Sequence, residues 1–148
     1  MEKKFLVRML TIAIMTAVSL SIQAENYNTN KCECLKLFYN TYRELFDKNV
    51  MWWQDSEKKA YIKNHCTHDF YSLIENEEKN GAGVDFLTCD YVDTMIMSTM
   101  NITVSDSCYI MTFKADWPMA NGESVIKDVT LYIYTENGLI SDVTESPK

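Results

Sequence analysis

The stretch VIKDVTLYIYTENGLISDVTE, residues 125–145, contains two β-strand patterns joined by a tight turn. Both halves are rich in β-branched and aromatic residues, which favour strands. The dipeptide Asn137-Gly138 between them is a strong signal for a type I′ hairpin. Upstream, residues 94–104 (TMIMSTMNITV) and residues 108–117 (CYIMTFKADW) also follow a period of two. Together these segments predict a four-stranded antiparallel meander.

The segment before the strands is helical in pattern. In CECLKLFYNTYRELFDK, residues 32–48, the large apolar side chains recur at the spacing of one α-helical face. These side chains are Leu35, Phe38, Tyr39, Tyr42, Leu45 and Phe46. A second, shorter helix is predicted after Asp55 or Ser56, either of which can cap it, with Glu57 in its first turn.

The stretch HCTHDF, residues 65–70, contains both histidines of the chain and could be a metal site, part of a catalytic site or a helix start. A paired-histidine zinc motif places its imidazoles at i and i+4 on one helix, whereas here the spacing is three. Thr67 is instead a good N-cap for a third helix, and both histidines are expected to face solvent. The predicted buried stripe of this helix consists of Phe70, Leu73 and Ile74.

An acidic segment follows, ENEEKNGAGVDFLTCDYVD, residues 75–93. Gly81 and Gly83 are predicted to end the third helix, because glycine readily stops helices. The segment lacks the EF-hand calcium pattern, so we predict an exposed acidic loop rather than a cation site. The acidic residues that follow the two glycines are Asp85, Asp90 and Asp93.

The N-terminus, MEKKFLVRMLTIAIMTAVSLSIQAEN, has the pattern of a secretory signal peptide. Three basic residues precede an apolar core of about a dozen residues, which is shorter than the ~20 that a membrane anchor needs. We expect residues 1–24 to be removed, residues 25–31 to be a polar leader and residues 32–148 to be a single domain. The predicted location is secreted, in the periplasm of a Gram-negative envelope.

Charge restricts the possible partners. The 148-residue chain has a net charge of −7, from 14 Lys and Arg and 21 Asp and Glu. Residues 1–24 contain three of the basic residues and one acidic residue, so their removal makes the net charge −9. Such a surface repels phosphate backbones. We therefore expect no nucleic-acid partner and no stable membrane insertion after signal cleavage.

The chain contains five cysteines: Cys32, Cys34, Cys66, Cys89 and Cys108. An oxidising compartment favours up to two disulfides and one remaining thiol, and the sequence leaves fifteen such pairings open. Only the pair Cys32 and Cys34 is disfavoured, because the two side chains diverge at a helix start. No second cysteine cluster accompanies them, so we predict no metal site and no cofactor.

Helices followed by strands predict an α+β domain, with three N-terminal helices packed on a curved four-stranded antiparallel sheet. Four segments, LFYNTYRELF, CTHDFYSLIE, GVDFLTCDYVD and LYIYTENGLISDVTE, carry a resemblance that covers most of residues 32–145. The chain resembles a family of small secreted domains of unknown function with a nuclear-transport-factor-2-like, cystatin-like fold. The resemblance implies a cone whose interior holds a small molecule or is filled by side chains.

Three functional hypotheses follow, and none predicts a catalytic residue with a coherent motif. The first is a non-catalytic domain that binds an unknown protein or a small ligand; the candidate ligand-binding residues are Phe38, Tyr42, Trp53 and Trp117. The alternative is a small proton-transfer enzyme, of the isomerase or dehydratase kind, with Asp116 or Asp128 as a buried carboxylate. The third, compatible with both, is a homodimer formed through the sheet, because CYIMTFKADW has apolar residues on both sides.

Overall fold

The computed structural model describes residues 29–46, 55–80 and 85–148. Three helices precede a four-stranded antiparallel sheet in the order β1-β2-β3-β4, which confirms the predicted α+β class and meander. The predicted signal peptide and the predicted Gly81 and Gly83 helix stop lie outside these residues. The elements are α1 (residues 29–46), α2 (Ser56–His65), α3 (His68–Lys79), β1 (Met95–Val104), β2 (Tyr109–Pro118), β3 (Ser124–Glu136) and β4 (Leu139–Thr144).

The turn between β3 and β4 has the predicted geometry. Asn137 and Gly138 both have positive φ, at 51° and 83°, as a type I′ turn requires. The turn fixes the register of the two adjoining pairs, Glu136 with Leu139 and Thr135 with Ile140, and the register shifts between Thr135 and Tyr134. At the other edge of the sheet, the pairing of β1 with β2 is interrupted by an irregularity between Ile96 and Asn101.

The helices cover one face of the sheet. In β2, Tyr109, Met111, Phe113 and Ala115 are buried, and the residues between them are half-buried or exposed. The residues paired with them in β3 continue the same buried face, as shown by Val129, Leu131 and Ile133. The expectation that β2 has apolar residues on both sides is wrong beyond Ile110, since its outward side continues as exposed Thr112, Lys114 and Asp116.

Helix α1 has the predicted buried stripe, with Phe46 partly buried at its end. It begins earlier than expected, because residues 29–31, assigned above to a polar leader, are already helical. Two polar contacts fix α1 on the layer below. The Tyr39 hydroxyl donates to the carbonyl oxygen of Leu87 at 3.1 Å, and Arg43 donates to the carbonyl oxygen of Val92.

Both predicted helix caps are present. Asp55 accepts hydrogen bonds from the first-turn amides of α2, and Thr67 accepts one from the Phe70 amide at the start of α3. The predicted stripe of α3 is partly wrong: Tyr71 is buried, and Leu73 is 43% exposed. Either Tyr71 or Leu73 can join the buried stripe at helical spacing, so the position of the neighbouring layer decides which side chain faces inward.

Candidate functional site

An apolar cleft lies at the end of the sheet where β2 begins and β3 turns into β4. Its volume is about 90 Å³, which is less than the ~150 Å³ cavity that holds a benzene ring. The cleft is open on one side, so it can take a small molecule or one end of a longer one. Its lining comes from α1, the end of α2 and strands β2 to β4: Lys31, Cys34, Leu35, Phe38, His65, Tyr109, Thr135, Gly138 and Ile140.

His65, the last residue of α2, forms one wall of the cleft. Its ring packs in tilted contacts, with its centre 4.3 Å from that of the Tyr61 ring and 5.2 Å from that of the Phe38 ring. Its Nδ1 lies 2.7 Å from the carbonyl oxygen of Tyr61. A carbonyl oxygen only accepts hydrogen bonds, so Nδ1 carries a proton, and in the neutral ring Nε2 has a free lone pair. No described residue hydrogen-bonds to Nε2.

This position corrects the prediction that both histidines face solvent: His68 does so, whereas His65 is half-buried. The connection between α2 and α3 holds His65 in place. Cys66 forms a parallel bridge with Ile140, and the Thr67 amide donates to the Ile140 carbonyl oxygen at 2.8 Å. These backbone contacts tie the end of α2 to β4 and bring the imidazole against the sheet.

Tyr109, the first residue of β2, contributes the second polar group of the cleft. The residue is only 7% exposed, and no described residue hydrogen-bonds to its hydroxyl. In the described part of the chain, every fully buried polar side-chain atom has a partner. The Tyr109 side chain lines both the cleft and the adjoining groove of residues 104–109.

The predicted disulfides are not formed: all five cysteines lie in described segments and are free thiols. Cys34, at the cleft, is exposed, whereas Cys32, Cys66 and Cys108 are buried. Burial raises the pKa of the Cys66 thiol to about 12. Burial and the nearby Glu145 raise the pKa of Cys89 to about 12. The cysteines are distributed over α1, the α2–α3 connection, the acidic loop and the start of β2, which the spacing in the sequence did not reveal.

We expect iodoacetamide to alkylate Cys34 first in the native protein at pH 8. At this pH a thiol of pKa near 12 is ionised in roughly one molecule in ten thousand, and the thiolate is the reactive form. Cys66 and Cys89 should therefore react only after unfolding. Peptide mass spectrometry over time, with urea-unfolded protein as the control, measures both rates. A non-reduced protein lighter by ~2 Da per bridge would contradict the free thiols and support the disulfides.

A second polar centre lies away from the cleft, where the acidic segment meets α1. Asp85 was predicted to lie in an exposed loop, but its carboxylate is turned inward. Its Oδ1 accepts hydrogen bonds from the Tyr42 hydroxyl at 2.9 Å and from the Leu87 amide at 3.0 Å. Its Oδ2 accepts one from the Thr88 hydroxyl. Burial raises the pKa of the Asp85 carboxyl above its ordinary value, and these hydrogen bonds partly oppose that effect.

Lys58 of α2 lies near this carboxylate and is only 2% exposed. Its Nζ is 4.4 Å from the centre of the Phe46 ring. Burial lowers the pKa of Lys58, whereas the charges of Asp85 and Glu78 oppose this shift. The centre is therefore a compact group of ionisable side chains joining α1, α2, α3 and the acidic segment.

The predicted ligand-binding residues do not form one site. Phe38 lines the cleft, and Tyr42, whose ring is stacked 6.0 Å from that of Phe38, points its hydroxyl to Asp85. Trp53 lies outside the described residues. Trp117 is eight residues after Tyr109 on β2, about 25 Å away along the strand, and its ring contacts Tyr91.

The predicted catalytic carboxylates are both at the surface. Asp116 is exposed on the outer face of the sheet, and Asp128, also exposed, forms an ion pair of 2.9 Å with Lys114. Neither is the buried carboxylate that the enzyme hypothesis needs. The described residues contain no group of three His, Cys, Asp or Glu side chains arranged to hold a metal.

Sequence reasoning missed the cleft itself. His65 was considered for a metal site or a catalytic site and then assigned to the solvent-facing start of a helix, and Tyr109 and Ile140 were assigned to strands. Residues 35 and 140 are far apart in the chain, so no local spacing connects them. The one available signal was His65 at a helix end next to a cap, where the chain turns toward the next layer.

Comparisons with known proteins describe the fold and give no activity. No protein-family model matches the chain, and no curated protein matches it. A crystal structure of a protein of unknown function from Bacteroides thetaiotaomicron is similar, with a TM-score of 0.58 and 16% sequence identity. The similarity covers 88% of this chain and 98% of that one. No helix in the described segments is both long and apolar enough to cross a membrane.

Proposed function

We propose that this protein is a secreted, non-catalytic binding domain that holds a small ligand in the cleft at the β3–β4 end of the sheet. The observation that carries the proposal is the cleft, an apolar cavity lined by His65 and Tyr109, each of which has a hydrogen-bonding group without a partner among the described residues. An apolar pocket with a few convergent polar groups is the usual form of a small-molecule site. The nuclear-transport-factor-2-like cone is part of this proposal, and helices confined to one sheet face support it.

The positions of the described carboxylates favour a binding function over proton-transfer catalysis. A general base needs a lone pair that is free to take the proton of a substrate. Asp85 is the described carboxylate that burial affects most, yet both of its oxygens already accept hydrogen bonds from Tyr42, Leu87 and Thr88. This arrangement holds a loop in place, and it leaves no oxygen poised toward a bound molecule.

We expect Thr135→Trp to abolish ligand binding by filling the cleft. Thr135 lines the cleft from β3, and tryptophan is tolerated well in strands. The matched control is Thr130→Trp, on the exposed outer face of the same strand, which should bind as the unaltered protein does. Binding is measured by native mass spectrometry of the protein exported to a bacterial periplasm, with circular dichroism to confirm folding.

Two results of this experiment would contradict the proposal. A ligand retained with unchanged affinity by folded Thr135→Trp would place the binding site elsewhere. A protein that carries no extra mass and takes up no neutral aromatic probe at millimolar concentration would exclude a ligand-holding cleft. In that case His65 and Tyr109 would be ordinary surface residues without a role in ligand binding.

A further inference from the structure

We propose that the cleft selects a neutral ligand whose apolar end carries a hydroxyl group, such as a phenol or a short alcohol. This inference rests on the proposed small-ligand function and adds the chemical class of the ligand. It follows from the two unpartnered polar groups of the cleft, the Nε2 atom of His65 and the hydroxyl of Tyr109. His65 and Tyr109 both line the same cavity of about 90 Å³, so one small molecule there can contact both side chains.

The hydrogen-bonding roles of the two groups are complementary to a hydroxyl. His65 uses its Nδ1 proton on the Tyr61 carbonyl oxygen, so Nε2 of the neutral ring can only accept a hydrogen bond. The Tyr109 hydroxyl can donate one. A ligand hydroxyl can donate to Nε2 and accept from Tyr109 at the same time. A carboxylate has no proton to donate, and an ether or a halogen has none either.

The rest of the cleft determines the other end of the ligand. Leu35, Phe38 and Ile140 are buried apolar side chains. They favour a ligand with an apolar ring or alkyl group, because contact with it removes apolar surface from water. Lys31 also lines the cleft, so the preference for a neutral ligand rests on Nε2 of His65, whose lone pair repels a carboxylate oxygen. A neutral ring or short alkyl group with one hydroxyl satisfies both conditions, and the open side of the cleft leaves room for a larger molecule to extend outward.

The test compares three probes of similar size: phenol, fluorobenzene and benzoate. The ¹⁹F signal of fluorobenzene reports its binding directly, and phenol and benzoate are measured by displacement of that signal. We expect phenol to bind about fivefold to tenfold more tightly than fluorobenzene. A difference of this size corresponds to the net free energy of about one hydrogen bond. Benzoate should bind more weakly than either.

Two variants test whether His65 and Tyr109 cause the difference in affinity between phenol and fluorobenzene. His65→Phe keeps an aromatic ring but removes Nε2, and Tyr109→Phe removes only the hydroxyl. Each should reduce the preference for phenol over fluorobenzene to about twofold to threefold, because each removes one of two hydrogen bonds to the ligand. The controls are His68→Phe and Tyr132→Phe, which change the same residue types outside the cleft.

The outcomes separate this inference from the proposed function. If no probe binds, the proposed small-ligand function and the inference both fail. If fluorobenzene binds as tightly as phenol, the cleft is a ligand site but the hydroxyl selection is wrong. If benzoate binds most tightly, the site prefers anions and the inference is overturned. The three probes decide this on the unaltered protein, even if a variant fails to fold.

Discussion

Asp85→Ala is expected to lower the free energy of unfolding by about 3 kcal/mol. The substitution leaves three donors without their acceptor: the hydroxyls of Tyr42 and Thr88 and the backbone amide of Leu87. These three residues are each no more than 3% exposed, so water replaces the carboxylate poorly. Each buried polar group without a partner costs on the order of 1–3 kcal/mol, partly offset by relief of the carboxylate's own burial. Urea unfolding followed by circular dichroism measures the change.

The control for this experiment is Asp93→Ala. Asp93 belongs to the same acidic segment but is exposed, and such surface substitutions usually change stability by less than about 0.5 kcal/mol. Equal effects of the two substitutions would show that the Asp85 hydrogen bonds do not hold the segment. The comparison therefore tests whether this polar centre is structural.

The pH dependence of Asp85 has a definite sign. Burial raises the folded-state pKa of its carboxyl above the ordinary value of 3.8, so folding favours the protonated form. The stability contributed by this group is complete below pH 3.8 and is lost as the pH rises through the raised folded pKa. Asp85→Asn lacks this titration. Its stability deficit relative to the unaltered protein should therefore be larger at pH 4 than at pH 7, and a deficit that grows with pH would contradict the raised pKa.

Phe38→Ala is expected to lower the free energy of unfolding by about 4 kcal/mol, the largest effect that we predict. Phe38 is 2% exposed. Its ring stacks on Tyr61 at 5.5 Å and on Tyr42 at 6.0 Å and meets Tyr39 edge-on at 5.1 Å. Removing the ring forfeits the free energy gained by transferring it out of water and leaves a cavity. It also breaks four ring contacts, the fourth being with His65. The same unfolding measurement applies.

The neighbouring residue provides the control for Phe38. Leu37→Ala removes a large apolar side chain from the same helix, but Leu37 is 66% exposed. We expect its effect to stay below about 0.5 kcal/mol, because little surface leaves water there on folding. A similar loss of stability in both variants would mean that α1 contributes through helix propensity rather than through packing of its Phe38 face.

The fold was largely accessible from local patterns. Strand alternation, the Asn137-Gly138 turn and the Asp55 and Thr67 caps involve residues within a few positions of each other. Their physical causes are backbone sterics, side-chain capping and the periods of helices and strands, which act over the same short range. For this reason the elements and their order were predicted correctly, including the buried stripe of α1.

The errors share one cause. Whether Leu73 or Tyr71 faces inward, and whether the Asp85 carboxylate points to water or to Tyr42, depends on which segment packs against the residue. Helical spacing permits either side chain on α3, and an acidic residue after glycines ordinarily predicts exposure. The packing partner of each is remote in the chain, so local composition was uninformative.

The sequence by itself determined the class of fold, three helices on an antiparallel sheet, because each element follows from short-range rules that its own residues satisfy. The tertiary structure alone decided the candidate site. It placed His65 and Tyr109, which are 44 positions apart, on the wall of one cavity with Leu35 and Ile140. Such a site exists only when the layers close on each other, since burial and the absence of a hydrogen-bond partner are properties of packed surfaces rather than of any segment.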